Sequence, residues 1–187
     1  MAGSLCFHRM PLDSTKPGLS VPVSERDHAI GPADAPVTLV EYGDYECPDC
    51  GNAFPEIKRL IAECGARLRF VFRNFPQYSI HPHASTAAQA AEAAAAQGKF
   101  WEMHDVLYRH QRELGDVDIS SLALRAGVEI YKFDADLSSE RFARRVEEDF
   151  ASGQASGVVG TPTFFINGVR YVGEKDYESL KRVIESV

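Results

Sequence analysis

Cys47 and Cys50, with Pro48 and Asp49 between them, are the residues whose type and spacing most directly specify chemistry. Two thiols so placed form and break a disulfide: one sulfur attacks a substrate, and the second, a helical turn on, returns to close the ring. Pro48 suits the first turn of a helix, where a missing N–H costs nothing, and Val37-Thr38-Leu39-Val40 upstream is an apolar, β-branched run of strand type. The thiols are therefore expected where a strand hands over to a helix N-terminus. Unpaired backbone N–H groups and the positive end of the helix dipole favour a thiolate there, the reactive form of cysteine. A C-x-x-C is also half of a zinc site, but no second C-x-x-C or spaced histidine pair follows at zinc-site distance. His81 and His83, in an H-P-H tripeptide at the start of a predicted helix, read as capping or packing residues, and no metal ligands are assigned.

The acidic residues around the thiols bear on the redox poise. Glu41 shares a strand face with Leu39, so it is buried if Leu39 is. Between Glu41 and Cys50 there is no lysine, arginine or histidine, while Glu41, Asp44, Glu46 and Asp49 are all acidic. Those carboxylates oppose the helix dipole. The local charges thus imply a raised thiolate pKa and a moderate or reducing potential. Cys6 lies in a Pro/Ser-rich arm; Cys64 follows about 21 Å of helix, far beyond the ~7 Å Cα limit for a disulfide with Cys50. Neither belongs to the active pair.

The elements that must position these groups follow from composition and periodicity. With 187 residues and 44% apolar content the chain supports one domain with a sizeable core. Twenty basic against 27 acidic residues, a net charge of −7, argue against nucleic acid and anionic membrane surfaces as partners. No apolar run is long enough for membrane insertion, and Pro11, Asp13, Lys16, Pro17 and Gly18 interrupt any signal-peptide core, so the expected location is cytoplasmic. Residues 1–24 read as a flexible arm.

Beyond the thiols, Phe54, Ile57, Leu60 and Ile61 recur at helical spacing, and 67–73 alternates charged and apolar residues as a strand. Helical patterns then dominate 80–150: Ala84 to Gln97, Phe100 to Leu114, Ser120 to Ala126 and Ser138 to Phe150. Trp101, His104 and Tyr108 form an aromatic stripe that reads as core packing. The mixed run from Arg141 to Asp149 reads as a solvated face. Strand pattern returns around Asn167-Gly168, a hairpin signal, and a helix from Asp176 to Val187 closes the chain. The expected architecture is α/β, with 80–150 inserted as a helical subdomain between a strand-helix-strand part (25–79) and a hairpin-helix part (151–187).

Cys47-Pro48-Asp49-Cys50 after a strand, with Gly160-Thr161-Pro162-Thr163-Phe164-Phe165 before a hairpin, resembles the DsbA-like branch of the thioredoxin superfamily over roughly residues 25–187. The resemblance implies a thioredoxin-like fold and thiol-disulfide exchange, with Cys47 as nucleophile and Cys50 as resolving thiol. It implies a cis bond before Pro162, with Pro48, Asp49, Thr161 and Pro162 facing substrate, and a catalytic role for Glu41 as a buried carboxylate beneath the thiols. The redox-active Cys47–Cys50 disulfide takes the place of a cofactor. Implied partners are protein or small-thiol substrates and a further redox partner. Asp49 departs from the histidine of strongly oxidising members. The alternative is a metal-binding or chaperone-like module that keeps the fold without turnover.

Overall fold

A computed structural model of the chain describes residues 11–187, so Cys6 lies outside the described residues. In chain order the elements are β1 (His28–Ile30), β2 (Val37–Gly43), α1 (Pro48–Cys64), β3 (Leu68–Asn74), α2 (Ala84–Ala95), α3 (Phe100–Arg109), α4 (Ile119–Arg125), α5 (Ile130–Ser138), α6 (Ala143–Ala155), β4 (Thr163–Ile166), β5 (Val169–Arg170) and α7 (Tyr177–Ser186). The strands form one mixed sheet in the order β1-β3-β2-β4-β5. β2 runs parallel to β3, which requires a crossover, and α1 supplies it. β2 lies antiparallel to β4, with Glu41 opposite Phe164 and, across the sheet, Phe72. Asn167 and Gly168 take positive φ angles of 48° and 80°, as a tight β4–β5 turn demands.

Both faces of the sheet are covered. Leu39, Phe70, Phe72, Phe164 and Ile166 face a core shared with α1, α2, α3 and α7, into which Ile57, Leu60, Met103, Leu107 and Leu180 pack. Val40, Tyr42, Val71 and Phe165 face a second cluster with Phe75 and Val158, covered by Phe150 of α6 and by Leu19 and Val23. The aromatic stripe of α3 packs inward: His104 and Tyr108 are buried and Trp101 is half-buried.

Three expectations are corrected. The arm expected to be flexible over 1–24 is tied down from residue 11 onward. Leu12 bridges Tyr171, Leu19 N–H donates to the Gly168 carbonyl at 2.9 Å, and Ser20 N–H donates to Ser156 Oγ at 3.0 Å. The cause is Arg73, which period-two alternation sends to the second face. There it is 2% exposed, pairs with Asp27 at 2.7 Å, and takes the carbonyls of Val21 and Pro22 as acceptors. A buried guanidinium needs every donor satisfied, and the arm brings two of the acceptors. The helix expected over Ser138 to Phe150 is displaced: Ser138 ends α5, a helix absent from the expected set, Glu140 takes a φ of 52°, and α6 starts at Ala143 and continues to Ala155. The run from Arg141 to Asp149 is solvated only in part, because Asp149 is 3% exposed and accepts from Asn74 N–H at 3.1 Å and from Arg145.

Candidate active site

β2 ends at Gly43, where a Cβ would stand 2.4 Å from the Phe72 ring and 3.0 Å from the Tyr108 hydroxyl. Only glycine lets the chain turn there above the aromatic core. Cys47 then caps α1 in an extended conformation (φ −71°, ψ 120°), and Pro48 opens the helix. Cys47 is 5% exposed and Cys50 fully buried, while Pro48 and Asp49 between them are exposed. The Cys47 thiol donates to the Thr161 carbonyl at 3.4 Å, and Asp44 N–H donates to Cys50 Sγ at 3.5 Å.

These surroundings drive the two sulfurs apart. The hydrogen bond from Cys50 draws the Cys47 pKa down to about 5, against burial, with further help from Thr161 and the backbone N–H groups of Cys50 and Asp49. Burial first, then its bond to Cys47 and the charge of Glu41, push Cys50 well above the ordinary thiol range. Glu41 lies on the core face of β2 with Leu39, 4% exposed, and burial with the nearby Cys47 charge raises it to about 8.

The loop facing the sulfurs, Gly160-Thr161-Pro162, contains a cis peptide bond between Thr161 and Pro162. It is wired to the thiol loop through Gln77, whose side chain donates to Thr161 Oγ1 at 2.9 Å while its N–H donates to Asp44 Oδ2 at 2.9 Å. The buried Asp44 carboxylate also accepts from Glu46 N–H and meets His81 Nδ1 at 2.7 Å; Glu46 meets His83 Nδ1 at 2.9 Å. The acidic loop is thus not an uncompensated negative patch. Asp44 and Glu46 spend their oxygens on backbone N–H groups and on two histidines. The raised Cys47 pKa inferred from local sequence charge is therefore corrected to a lowered one. From the other side, Gln111 reaches over from the turn after α3 and donates to the carbonyls of Tyr45 (2.9 Å) and Cys47 (2.7 Å).

A family profile described as thioredoxin matches residues 23–186, nearly the whole of the described chain. The chain belongs to the thioredoxin family. Its structural neighbours within that family are of the DsbA type. Oxidised BdbD from Bacillus subtilis is 27% identical, with a TM-score of 0.76, covering 91% of this chain and 97% of that one. The alpha-DsbA2 of Wolbachia pipientis, at 22% identity and a TM-score of 0.75, covers 87% and 88% and supports the fold. Curated relatives include the Na(+)/H(+) antiporter NhaA 1 of Salinispora arenicola, 46% identical over 169 residues, and that of Mycolicibacterium vanbaalenii, 44% identical over 164. This chain spans only about a quarter of their length, 26% and 27%. No helix among the described residues is long and apolar enough to cross a membrane.

Within this thioredoxin-family site the structure brings together Cys47, Cys50, Glu41 and Thr161, with Pro162 next to Thr161 and with Pro48 and Asp49 outermost. Cys64 stands apart, half-buried at the far end of α1. Gln77, His81, His83 and Gln111 were not singled out from sequence as part of the site. The H-P-H tripeptide was visible, but its carboxylate partners lie 37 residues away along the chain.

Proposed function

We propose that this thioredoxin-family chain is a thiol-disulfide oxidoreductase that runs toward oxidation of dithiols in protein or small-thiol substrates. The reading rests on one arrangement: Cys47 caps α1 beside the cis Thr161–Pro162 loop with Cys50 fully buried beneath it, surroundings that draw Cys47 down to about 5 and push Cys50 up. In the oxidising direction a substrate thiolate attacks the Cys47 sulfur of the Cys47–Cys50 disulfide. The Cys47–Cys50 bond breaks, Cys50 leaves with the electron pair, and Glu41, protonated near neutrality, supplies its proton. A second substrate thiolate attacks the substrate sulfur of the mixed disulfide and expels Cys47 as a stable thiolate, so two electrons pass to the protein. In the opposite direction Cys47 attacks and Cys50 resolves. Pro48, Asp49, Thr161 and Pro162 form the surface that a substrate segment meets. The antiporter name of the curated relatives belongs to proteins of which this chain spans about a quarter, and nothing in the thiol site calls for ion transport.

A stabilised Cys47 thiolate favours the reduced protein and so raises the potential. Two units below an ordinary redox thiol near 7 correspond to about 60 mV at two electrons, which moves the couple from about −270 mV to about −210 mV. Equilibration against glutathione buffers measures it, and a value at or below about −270 mV contradicts the oxidising direction. Cys50→Ser should accumulate Cys47 mixed disulfides, detectable by mass spectrometry. A Cys50→Ser variant that turns over disulfides at the wild-type rate defeats the proposed chemistry.

A further inference from the structure

We propose that Tyr108, contributed by α3, is a positioning residue of the thiol site: through one water molecule its hydroxyl holds the Glu41 carboxylate ready to take the Cys50 proton. This rests on the oxidoreductase reading above and concerns a group outside the thioredoxin-like strands and α1. Tyr108 is 7% exposed, and its hydroxyl is one of two buried side-chain atoms without a hydrogen-bond partner among the described residues. A buried phenol left unpaired is costly, so it calls for a reason. The hydroxyl stands over Gly43, two residues beyond Glu41 on the same face of β2. Tyr108 and Glu41 line one small cavity with Phe54, Lys58, Trp101 and His104, with space of about 10 Å³, room for about one water.

The other groups facing Glu41 leave this partnership open. Lys58, from α1, is committed to Asp105 at 2.9 Å. His104, from α3, is bonded to the Tyr45 hydroxyl at 3.1 Å, and burial lowers its pKa to about 3, so it stays neutral. Phe72 and Phe164, opposite Glu41 on the neighbouring strands, offer no donor. Cys47 and Lys175 act on it through charge alone, in opposite senses, and no protein hydrogen bond contributes to its titration. A buried phenol lacking a protein partner and a carboxylate to which no protein hydrogen bond contributes thus line the same water-sized space. Donation from Tyr108 through that water stabilises the charged carboxylate. In resolution, Cys50 passes its proton to Glu41 as its sulfur bonds to Cys47; the Cys47–substrate bond breaks and the substrate leaves as thiolate with the electron pair. The hydroxyl thereby sets how much of Glu41 is in the proton-accepting form.

Tyr108→Phe removes the hydroxyl and keeps the ring. With Cys6 and Cys64 replaced by serine in every protein compared, reduced protein mixed with dithiobis(nitrobenzoate) releases one coloured thiolate when Cys47 attacks and a second when Cys50 resolves, so the two steps are read separately. Tyr108→Phe should leave the first step unchanged, slow the second about three- to tenfold at pH 7, and move the midpoint of its pH dependence upward. The carboxyl resonance of Glu41, followed by NMR in the reduced protein, should titrate at higher pH by the same amount. In a Glu41→Gln background Tyr108→Phe should have no further effect. An unchanged second step, an unchanged Glu41 titration, or an equal slowing of both steps overturns the inference while leaving the oxidoreductase reading in place. Failure of wild-type Cys47 to form a mixed disulfide overturns both.

Discussion

At the residue scale the thiol site is a competition between burial and hydrogen bonding, and its members resolve it in opposite ways. Cys47 collects donors and ionises easily; Glu41 and Cys50 lie in the apolar interior and hold their protons. This has a signed consequence for stability. Glu41 titrates near 8 in the folded protein and near 4.5 unfolded, so its contribution is fully present below about pH 4.5 and is lost as pH rises through 8. Cys47 works the other way in the reduced protein: depressed from 9 to about 5, it stabilises above pH 9 and loses that contribution as pH falls through 5. Glu41→Gln should therefore be more stable than wild type at pH 8.5 relative to pH 5, by about 1–3 kcal/mol in urea unfolding of the reduced protein. Equal urea midpoint changes at the two pH values would mean that Glu41 is not held protonated by burial. Cys47, Cys50 and Glu41 were legible because their relations are local: a two-residue spacing and a two-residue strand period. His81, His83 and Gln77 were not, since their partners lie 33 to 37 residues away and leave no trace in local pattern.

At the element scale, the turn after α3 helps to fix the start of α1, which carries the sulfurs. Gln111 donates to the Tyr45 and Cys47 carbonyls, and its Oε1 stands 2.1 Å from where a Cβ on Gly51 would be. Glycine in a helix costs about 0.5–1 kcal/mol relative to alanine, so Gly51→Ala would ordinarily stabilise. Here it should expel the Gln111 amide and break both hydrogen bonds. The expected outcome is a net destabilisation of about 1–2 kcal/mol for Gly51→Ala, and a Gly51→Ala/Gln111→Ala double variant no less stable than Gln111→Ala alone. Additive losses in denaturant titrations would contradict the steric coupling. The helices themselves were readable where apolar periodicity was strong, as in α1, α3 and α7. α5 was not, nor was the late start of α6, because Glu140 in a left-handed conformation has no residue-type signal of the kind glycine or proline gives. The burial of Asp149 depends on Asn74, 75 residues away.

For the whole molecule, the segment from residue 11 to 24 joins what the sheet, its buried arginine and α6 each lack. Its backbone lies along β5: Asp13 N–H donates to the Arg170 carbonyl, and Val172 N–H donates to that of Pro11. Composition marked this stretch as polar and proline-rich, which describes its surface but not its anchorage, since the anchoring groups are main-chain atoms and a distant guanidinium. A chain beginning at Glu25 should lose about 2–5 kcal/mol of stability, through the carbonyls withdrawn from Arg73 and the bonds of Ser20. It would also bare the outer rail of β5, where unpaired N–H and C=O groups can template a further strand from another molecule. Light scattering should then show that the shortened protein self-associates as concentration rises while the full chain does not; a monodisperse shortened protein would count against this. On this account the segment acts as a terminator for one side of the sheet: it closes the hydrogen-bond lattice at the β5 edge, so that strand addition cannot start there.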